Sequence, residues 1–357
     1  MEKIIAHSKP HVSEQDVFFV SDQIRSGMHA TGSKTREFEE KIAELIGKKY
    51  DKATTSGTTS LHLSLMALDI KKGDEVIIPS FVCQSLLNAV NYTNATPILA
   101  DIEENYLEKG YNISADSIEN LLSKNTKAII VPHMFGVPAD LESISSVSSG
   151  VPIIEDCAQS LGAKYNGKMV GSFGDISSFS FYATKVISTG QGGMVLTDSE
   201  KIKKNLDNLL KYDRRENYEL AFNFGMTDIQ ASLGLSQLDK LPFLMTRRNK
   251  IREMYDSAFK NLKISKNTPG SFSFRYILSL KDADQRDSLQ TYLNDKGIMT
   301  DKPIFNPLHN YLHYDGKKFK NSEKAQNSAL SIPIYPALKD EEVDYVIKNI
   351  LDFFKKD

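Results

Sequence analysis

The chain has 357 residues, 40% of them apolar, and a formal charge of −2; that is enough to bury a large core, as two domains or one large α/β unit. With no basic excess and no Lys/Arg-rich block, electrostatic binding to nucleic acid or to an anionic membrane is not favoured, and a small-molecule partner is expected. The start, "MEKIIAHSKPHVSEQD", lacks the long apolar stretch of a secretory signal, and no run approaches the ~20 apolar residues of a membrane span, so a cytoplasmic protein is expected. Cys83 and Cys157 are too few for a disulfide framework or a cysteine zinc cluster, and both read as small core residues.

Along the chain, "VSEQDVFFVSDQIRSG" and "SKTREFEEKIAELIGKK" have apolar residues at three- and four-residue spacing, which predicts two helices joined across residues 27–32. "TTSGTTSLHLSLMAL" places a small polar cluster before the stripe Leu61, Leu65, Leu68, so a helix begins at Gly57 to Ser60. Strands are predicted at "EVIIP", "TPILAD", "KAIIVPHM", "VPIIED", "SSFSF" and "GMVLT", with helices such as "QSLLNAVNYT" and "SADSIENLLSK" between them. This alternation predicts an α/β fold, a mostly parallel sheet sandwiched by helices, with "SISSVSSG" as a surface loop. Beyond it, "LPFLMTRRNKIREMYDSAF", "FSFRYILSL", "QRDSLQTYLNDKG" and "KDEEVDYVIKNILDFFKK" predict a smaller α+β domain. The expected division is residues 1–240 and 241–357.

In a parallel sheet, ligands sit outside the carboxyl ends of the strands, so candidate chemistry is sought there. Lys185 lies between "SFSF" and "GMVLT" in a small, glycine-rich segment. Loop lysines are ordinarily solvated, but partial burial would lower the pKa enough for the amine to attack an aldehyde. Glu155 and Asp156 end an apolar strand, where they must reach solvent or pair with a cation; solvation is the ordinary outcome. "SGTTS" is either a plain cap or an anion site built on a helix N-terminus. Phe81, just past a strand, either packs in the core or faces the crevice. No dinucleotide or P-loop glycine motif occurs, and His309 and His313, though four apart, lack an accompanying Glu motif, so no metal site is expected.

The segments "SGMHATGSKTREFEEKIAELIG", "TSGTTSLHLSLMAL", "GDEVIIPSFV", "VPHMFGVPADLESI", "IIEDCAQSLGAKYNGKMVGSFGD", "SFSFYATKVISTGQGGMV", "NFGMTDIQASLGLSQL" and "LSIPIYPAL" occur in this order along nearly the whole chain. Together they closely resemble the DegT/DnrJ/EryC1/StrS family, pyridoxal-phosphate-dependent sugar aminotransferases of aspartate-aminotransferase-like fold. The resemblance implies that Lys185 is the Schiff-base lysine and that Asp156 is the partner of the pyridinium nitrogen. It further implies that Gln159 contacts the ring oxygen, that Phe81 is the stacking aromatic, and that Gly57, Thr58 and Ser180 bind the phosphate. Asn223 matches an asparagine that reaches the phosphate of a neighbouring subunit, which implies a homodimer with shared sites.

The implied reaction moves an amino group, by family usually from L-glutamate, to a keto-sugar carried on a nucleotide, in amino-sugar biosynthesis for lipopolysaccharide or another surface polysaccharide. His29, Thr31, Tyr182 and His309 are candidate substrate contacts, with surface or packing roles equally open to them. A sugar dehydratase on the same cofactor is the alternative, although members of that branch can replace the anchoring lysine with histidine; a non-catalytic regulatory member is another. Three positions depart from the family pattern: Tyr182 stands where histidine is common, Gln191 where an acidic residue is usual, and Gly225 where arginine is common.

Overall fold

The computed structural model describes residues 4–261 and 271–355. In chain order, α1 (Glu14–Arg25) and α2 (Ser33–Ile46) precede β1 (Tyr50–Thr54) and α3 (Gly57–Ala67). Next come β2 (Glu75–Pro79), α4 (Gln84–Tyr92), β3 (Thr96–Ala100), α5 (Tyr106–Lys109), α6 (Ala115–Leu121) and β4 (Thr126–Pro132). They are followed by α7 (Leu141–Val147), β5 (Ile153–Asp156), β6 (Lys164–Tyr165), β7 (Lys168–Met169), β8 (Ile176–Ser180), β9 (Gly193–Thr197) and α8 (Glu200–Leu210). The remainder is α9 (Asp228–Asp239), α10 (Leu241–Ala258), β10 (Tyr276–Ser279), α11 (Ala283–Asp295), α12 (Leu308–Tyr311), α13 (Lys320–Ser328), β11 (Ala329–Ile332) and α14 (Asp340–Phe354).

Seven strands form one sheet in the order β1-β9-β8-β5-β4-β2-β3, and β9 alone runs against the others. The fold is therefore the expected α/β sheet with helices on both faces. Its central strands are apolar because both faces are covered: Val76, Ile77, Ile78, Ile129, Ile130, Val131 and Ile154 are all inaccessible to solvent. The register aligns Pro132 with Asp156 and Asp156 with Ser178, so several strands end along one line. The crevice lies beyond that edge.

α3 is buried on nearly every side, more than its predicted stripe of Leu61 and Leu65 requires; Ser60 and Ser64 are inside as well. Their hydroxyls tie the helix down. Ser60 Oγ lies 2.6 Å from Ser178 Oγ and donates to the Met194 carbonyl at 2.7 Å, fixing α3 to β8 and β9. A second, two-stranded sheet pairs β10 with β11, and its apolar cluster draws on α10, α11 and α14 together with Ile5 from the start of the chain. α10 bridges the two parts, with Leu241 and Leu244 in the cluster on α2 and α9, and Ile251 and Tyr255 in the small-sheet cluster.

Two predicted details are corrected. "SISSVSSG" is not a loop throughout: Ser143 to Val147 lie in α7, whose N-cap Asp140 accepts from the Ser143 amide at 3.2 Å. β1 was not anticipated, because "YDKAT" has neither alternation nor an apolar run; it is a strand because β9 offers it a complete antiparallel ladder from Tyr50–Thr197 to Thr54–Gly193.

Candidate active site

The short link from β1 to α3 builds the first wall. Ser56 caps α3, accepting from the Thr59 amide at 3.1 Å, and its carbonyl accepts from Ser60 at 2.9 Å. The amides of Gly57 and Thr58 have no partner among the described residues, so the positive end of the helix is open. A Cβ on Gly57 would lie 2.6 Å from Ser180 Cβ, so only glycine lets α3 start this close to the end of β8. A Cβ on Gly193 would meet the Ser56 carbonyl at 2.3 Å, which explains a second glycine. Two free amides, a helix dipole and the half-buried Ser180 hydroxyl make an anion cradle suited to a phosphate.

The paired carboxylates ending β5 are both buried, so the expectation of solvation is overturned for them. Glu155 lies beneath the site: its oxygens accept from Gly171 at 2.7 Å, Phe173 at 2.8 Å, Gly174 at 2.6 Å and His133 Nε2 at 3.0 Å. Burial pushes its carboxyl up, but the His133 hydrogen bond and these amides outweigh it and hold Glu155 below the usual carboxylate range. Cys157 stands close to His133 and Glu155. The His133 ring is nevertheless fully engaged, because Nδ1 accepts from the Ala139 amide at 3.0 Å and neither nitrogen is left to ligate a metal. Asp156 faces the other way. Among the described residues it accepts only from the Ala158 amide, at 3.0 Å, and burial raises its pKa against the pull of that amide and of Lys185. A buried carboxylate with so few donors suits a cationic partner.

Lys185 follows a tight turn in which its amide bonds the Tyr182 carbonyl at 2.9 Å, and it is half-buried. Burial lowers its pKa from the ordinary lysine value; Cys83 and Asp156 oppose that shift and Arg275 adds to it. Its Nζ stands 5.6 Å from the centroid of the Phe274 ring. Gly57 lies against Ser180, Asp156 and Ser180 end the paired strands β5 and β8, and Lys185 lies within electrostatic reach of Asp156, so these groups gather at the carboxyl edge of the sheet. Gln159 borders it: Oε1 accepts from the Phe135 amide at 3.0 Å, leaving the NH₂ group to donate.

The aromatic expected over the crevice is placed elsewhere. Phe81 is fully buried in the main core, stacked on Tyr111 at 5.6 Å and 25°. Two residues on, Cys83 is exposed at the N-cap of α4 and within electrostatic reach of Lys185, which corrects its reading as a core residue. Cys157 is buried as expected. Cys83, Phe274 and Arg275 are site residues the sequence reading missed; only the position of Cys83 just after a strand end pointed to it.

Of the candidate substrate contacts, Tyr182 is exposed beside Lys185. His309 is inaccessible, with Nδ1 2.6 Å from Ser80 Oγ, Nε2 2.7 Å from Glu323 and its ring stacked on Phe319, so it serves packing within this chain. His29 is exposed, with Nε2 3.0 Å from the Ile24 carbonyl, and Thr31 Oγ1 donates to the Met226 carbonyl at 2.6 Å. Asn223 is exposed between Phe222 and Phe224, which stack on each other at 4.8 Å beside His62. Two of the three unusual positions, Gln191 and Gly225, are neighbours in space. Gln191 presents its carbonyl to Thr189 and Gln230, the adjacent Gly192 packs on Met226, and Gly225 forms a bridge with Thr54.

Residues 10–351 match the model of the DegT/DnrJ/EryC1/StrS aminotransferase family. The chain is 33% identical to GDP-perosamine synthase of Escherichia coli O157:H7, covering 99% of both chains. It is 32% identical to the spore coat polysaccharide biosynthesis protein SpsC of Bacillus subtilis, covering 98% of this chain and 97% of that protein. Among solved structures, the putative sugar aminotransferase Spr1654 of Streptococcus pneumoniae in its PLP-form superposes with a TM-score of 0.91 at 28% identity, covering 99% of each chain. The same protein in its PMP-form gives 0.91 at 27% identity, covering 99% of this chain and 98% of that one.

Proposed function

This chain belongs to the DegT/DnrJ/EryC1/StrS aminotransferase family, and from that premise we propose that it transfers an amino group from L-glutamate to a nucleotide-linked keto-sugar, using pyridoxal 5'-phosphate, as a cytoplasmic homodimer. The observation that carries the reading is the convergence of a desolvated lysine, a buried aspartate and an open helix N-terminus on one crevice. These residues fit the cofactor: the Gly57 and Thr58 amides and the Ser180 hydroxyl would take its phosphate, Asp156 would take the charge on its ring nitrogen, and the Gln159 NH₂ group would donate to its ring oxygen. When bound, pyridoxal phosphate supplies an aldehyde and an electron-accepting ring.

The rest is the work of the chain's own groups. Asp156, already buried, would hold the ring nitrogen in its protonated form. Lys185 would be the residue that holds the cofactor's aldehyde carbon, and when free its Nζ would be the base for the proton on the donor's α-carbon; a lowered pKa suits it to both tasks. Relatives named GDP-perosamine synthase support a sugar carried on a nucleotide diphosphate. Asn223, exposed on a segment beside α3, supports a contribution to a second subunit's cradle.

The reading is tested by incubating the enzyme with L-glutamate and a panel of nucleotide-linked keto-sugars, scored by mass spectrometry. Replacement of one oxygen by an amine in at least one of them is expected. Turnover of glutamate with amination of none would contradict the substrate class.

A further inference from the structure

Three cations surround one buried ring. Phe274 is 3% exposed, and Lys185 Nζ lies 5.6 Å, the Arg248 guanidinium 5.5 Å and the Arg275 guanidinium 5.2 Å from its centroid. Arg248 is committed to the fold, donating to the carbonyls of Phe274 at 3.2 Å and Ile334 at 2.9 Å. Arg275, the residue before β10, is only half-buried, and its charge reaches Lys185.

Its guanidinium is steered by a neutral neighbour. Burial first, and the charge on Arg275 second, push His7 down to about 3, so its Nδ1 is free to accept from Arg275, at 3.4 Å, while Nε2 meets Ser331 Oγ at 2.9 Å. Among the described residues the carboxylate that faces Arg275 is Asp301, and it is exposed. Asp156, the carboxylate that acts on Lys185, would have its own task toward the ring nitrogen. Cations gathered on one desolvated aromatic repel each other, and Arg248 is lowered to about 9 by burial and by Arg275. An anion arriving in the crevice relieves that repulsion.

Resting on the transamination proposed above, we infer that Arg275 anchors a carboxylate of the amino donor, with Phe274 as an apolar wall between that anchor and the amine-exchanging Lys185. A guanidinium suits this use because its planar fork matches both carboxylate oxygens. Arg275 is then the specificity-determining residue for an amino acid, rather than a simple amine, as donor.

The experiment uses the cofactor-loaded protein, wild type and the variants Arg275→Gln and Arg275→Lys. Glutarate, a dicarboxylate without an amine, is titrated calorimetrically, and half-saturation by L-glutamate is measured from the cofactor's spectrum. Loss of a charge-assisted forked contact should weaken glutarate by about ten-fold or more in Arg275→Gln. Half-saturation by glutamate should rise in parallel, the limiting rate should change far less, and Arg275→Lys should recover part of the affinity. Unchanged glutarate affinity in both variants, or a KM increase greater for the nucleotide-sugar than for glutamate, would overturn the assignment. If Arg275→Gln does not fold, Arg275→Lys decides alone, since it keeps the charge and loses the fork; glutarate binding equal to wild type then refutes the anchor. Failure of wild type to react with glutamate sinks the transaminase reading, whereas the glutarate titration bears on Arg275 alone.

Discussion

Lys185 and Cys83 share one small volume but differ in what surrounds them. Burial and the Arg275 cation both disfavour the Lys185 ammonium, so removing Arg275 should raise the lysine's pKa. The rate at which apo-protein captures pyridoxal phosphate should climb as Lys185 deprotonates, and in Arg275→Gln that climb should shift to higher pH; a shift to lower pH would contradict the electrostatic account. Cys83, exposed beside Lys185, should be alkylated by iodoacetamide in apo-protein and protected when the cofactor is bound, with buried Cys157 unreactive in both states as an internal control. Equal labelling of Cys83 with and without cofactor, followed by peptide mass spectrometry, would place it outside the site. The sequence exposed Lys185, Asp156 and Gly57 because each sits at a strand or helix end, where polar groups need a purpose. It could not tell Phe81 from Cys83, because once β2 ends the two-residue alternation no longer dictates which side chain turns inward.

Helix ends explain what was and was not legible among the elements. α3, with Ser56 before it, carries its cap in its own sequence, and its start was readable. α2 begins after Gly32 with no side-chain cap of its own; Asp228, from the first residue of α9, accepts instead from the amides of Gly32 at 2.8 Å and Thr35 at 2.9 Å and from Thr35 Oγ1 at 2.7 Å. α13 likewise starts under Asp101, which receives the amides of Asn321 and Ser322, both at 2.9 Å. Such caps are tertiary and leave no local signature. Burial pushes Asp228 up, but the Thr35 side chain and the amides of Thr35, Lys34 and Gly32 outweigh it, leaving the folded-state pKa depressed. Its ionised form therefore adds stability above the unfolded carboxylate range, and that stability is lost as pH falls through the folded value. Asp228→Asn should cost about 1–3 kcal/mol in denaturant unfolding at pH 7, with the gap from wild type closing in acid; a gap that persists unchanged would assign the loss to shape rather than charge. At the cradle, Gly57→Ala would place a Cβ against Ser180, so cofactor affinity should fall by about ten-fold or more, measured by spectral titration of apo-protein. Undiminished affinity would mean that α3 can retreat without disturbing the amides.

At the scale of the molecule, the segment before α1 reaches both the small sheet and the neighbourhood of the site. Ile5 pairs with Ile298 beside the small sheet, and His7 reaches Arg275, so these two residues bear on the surroundings of Lys185 although nothing in their composition announces it. The parallel sheet was legible because its strands are apolar runs separated by amphipathic helices; the edge strand β1 was not, because its antiparallel pairing with β9 is non-local. The proposed dimer shares its sites through Asn223, so mixing Lys185→Ala with Asn223→Ala protein should restore roughly a quarter of wild-type activity, since half of a random mixture is heterodimer with one intact site. No recovery after demonstrated subunit exchange would contradict sharing. The central claim is that Lys185 carries the cofactor covalently in this crevice. Its most direct measurement is borohydride reduction of the pyridoxal-phosphate-loaded protein followed by peptide mass spectrometry: a phosphopyridoxyl group on Lys185, lost when excess L-glutamate is added before reduction, is the predicted result, and a label on another lysine, or none, would contradict it.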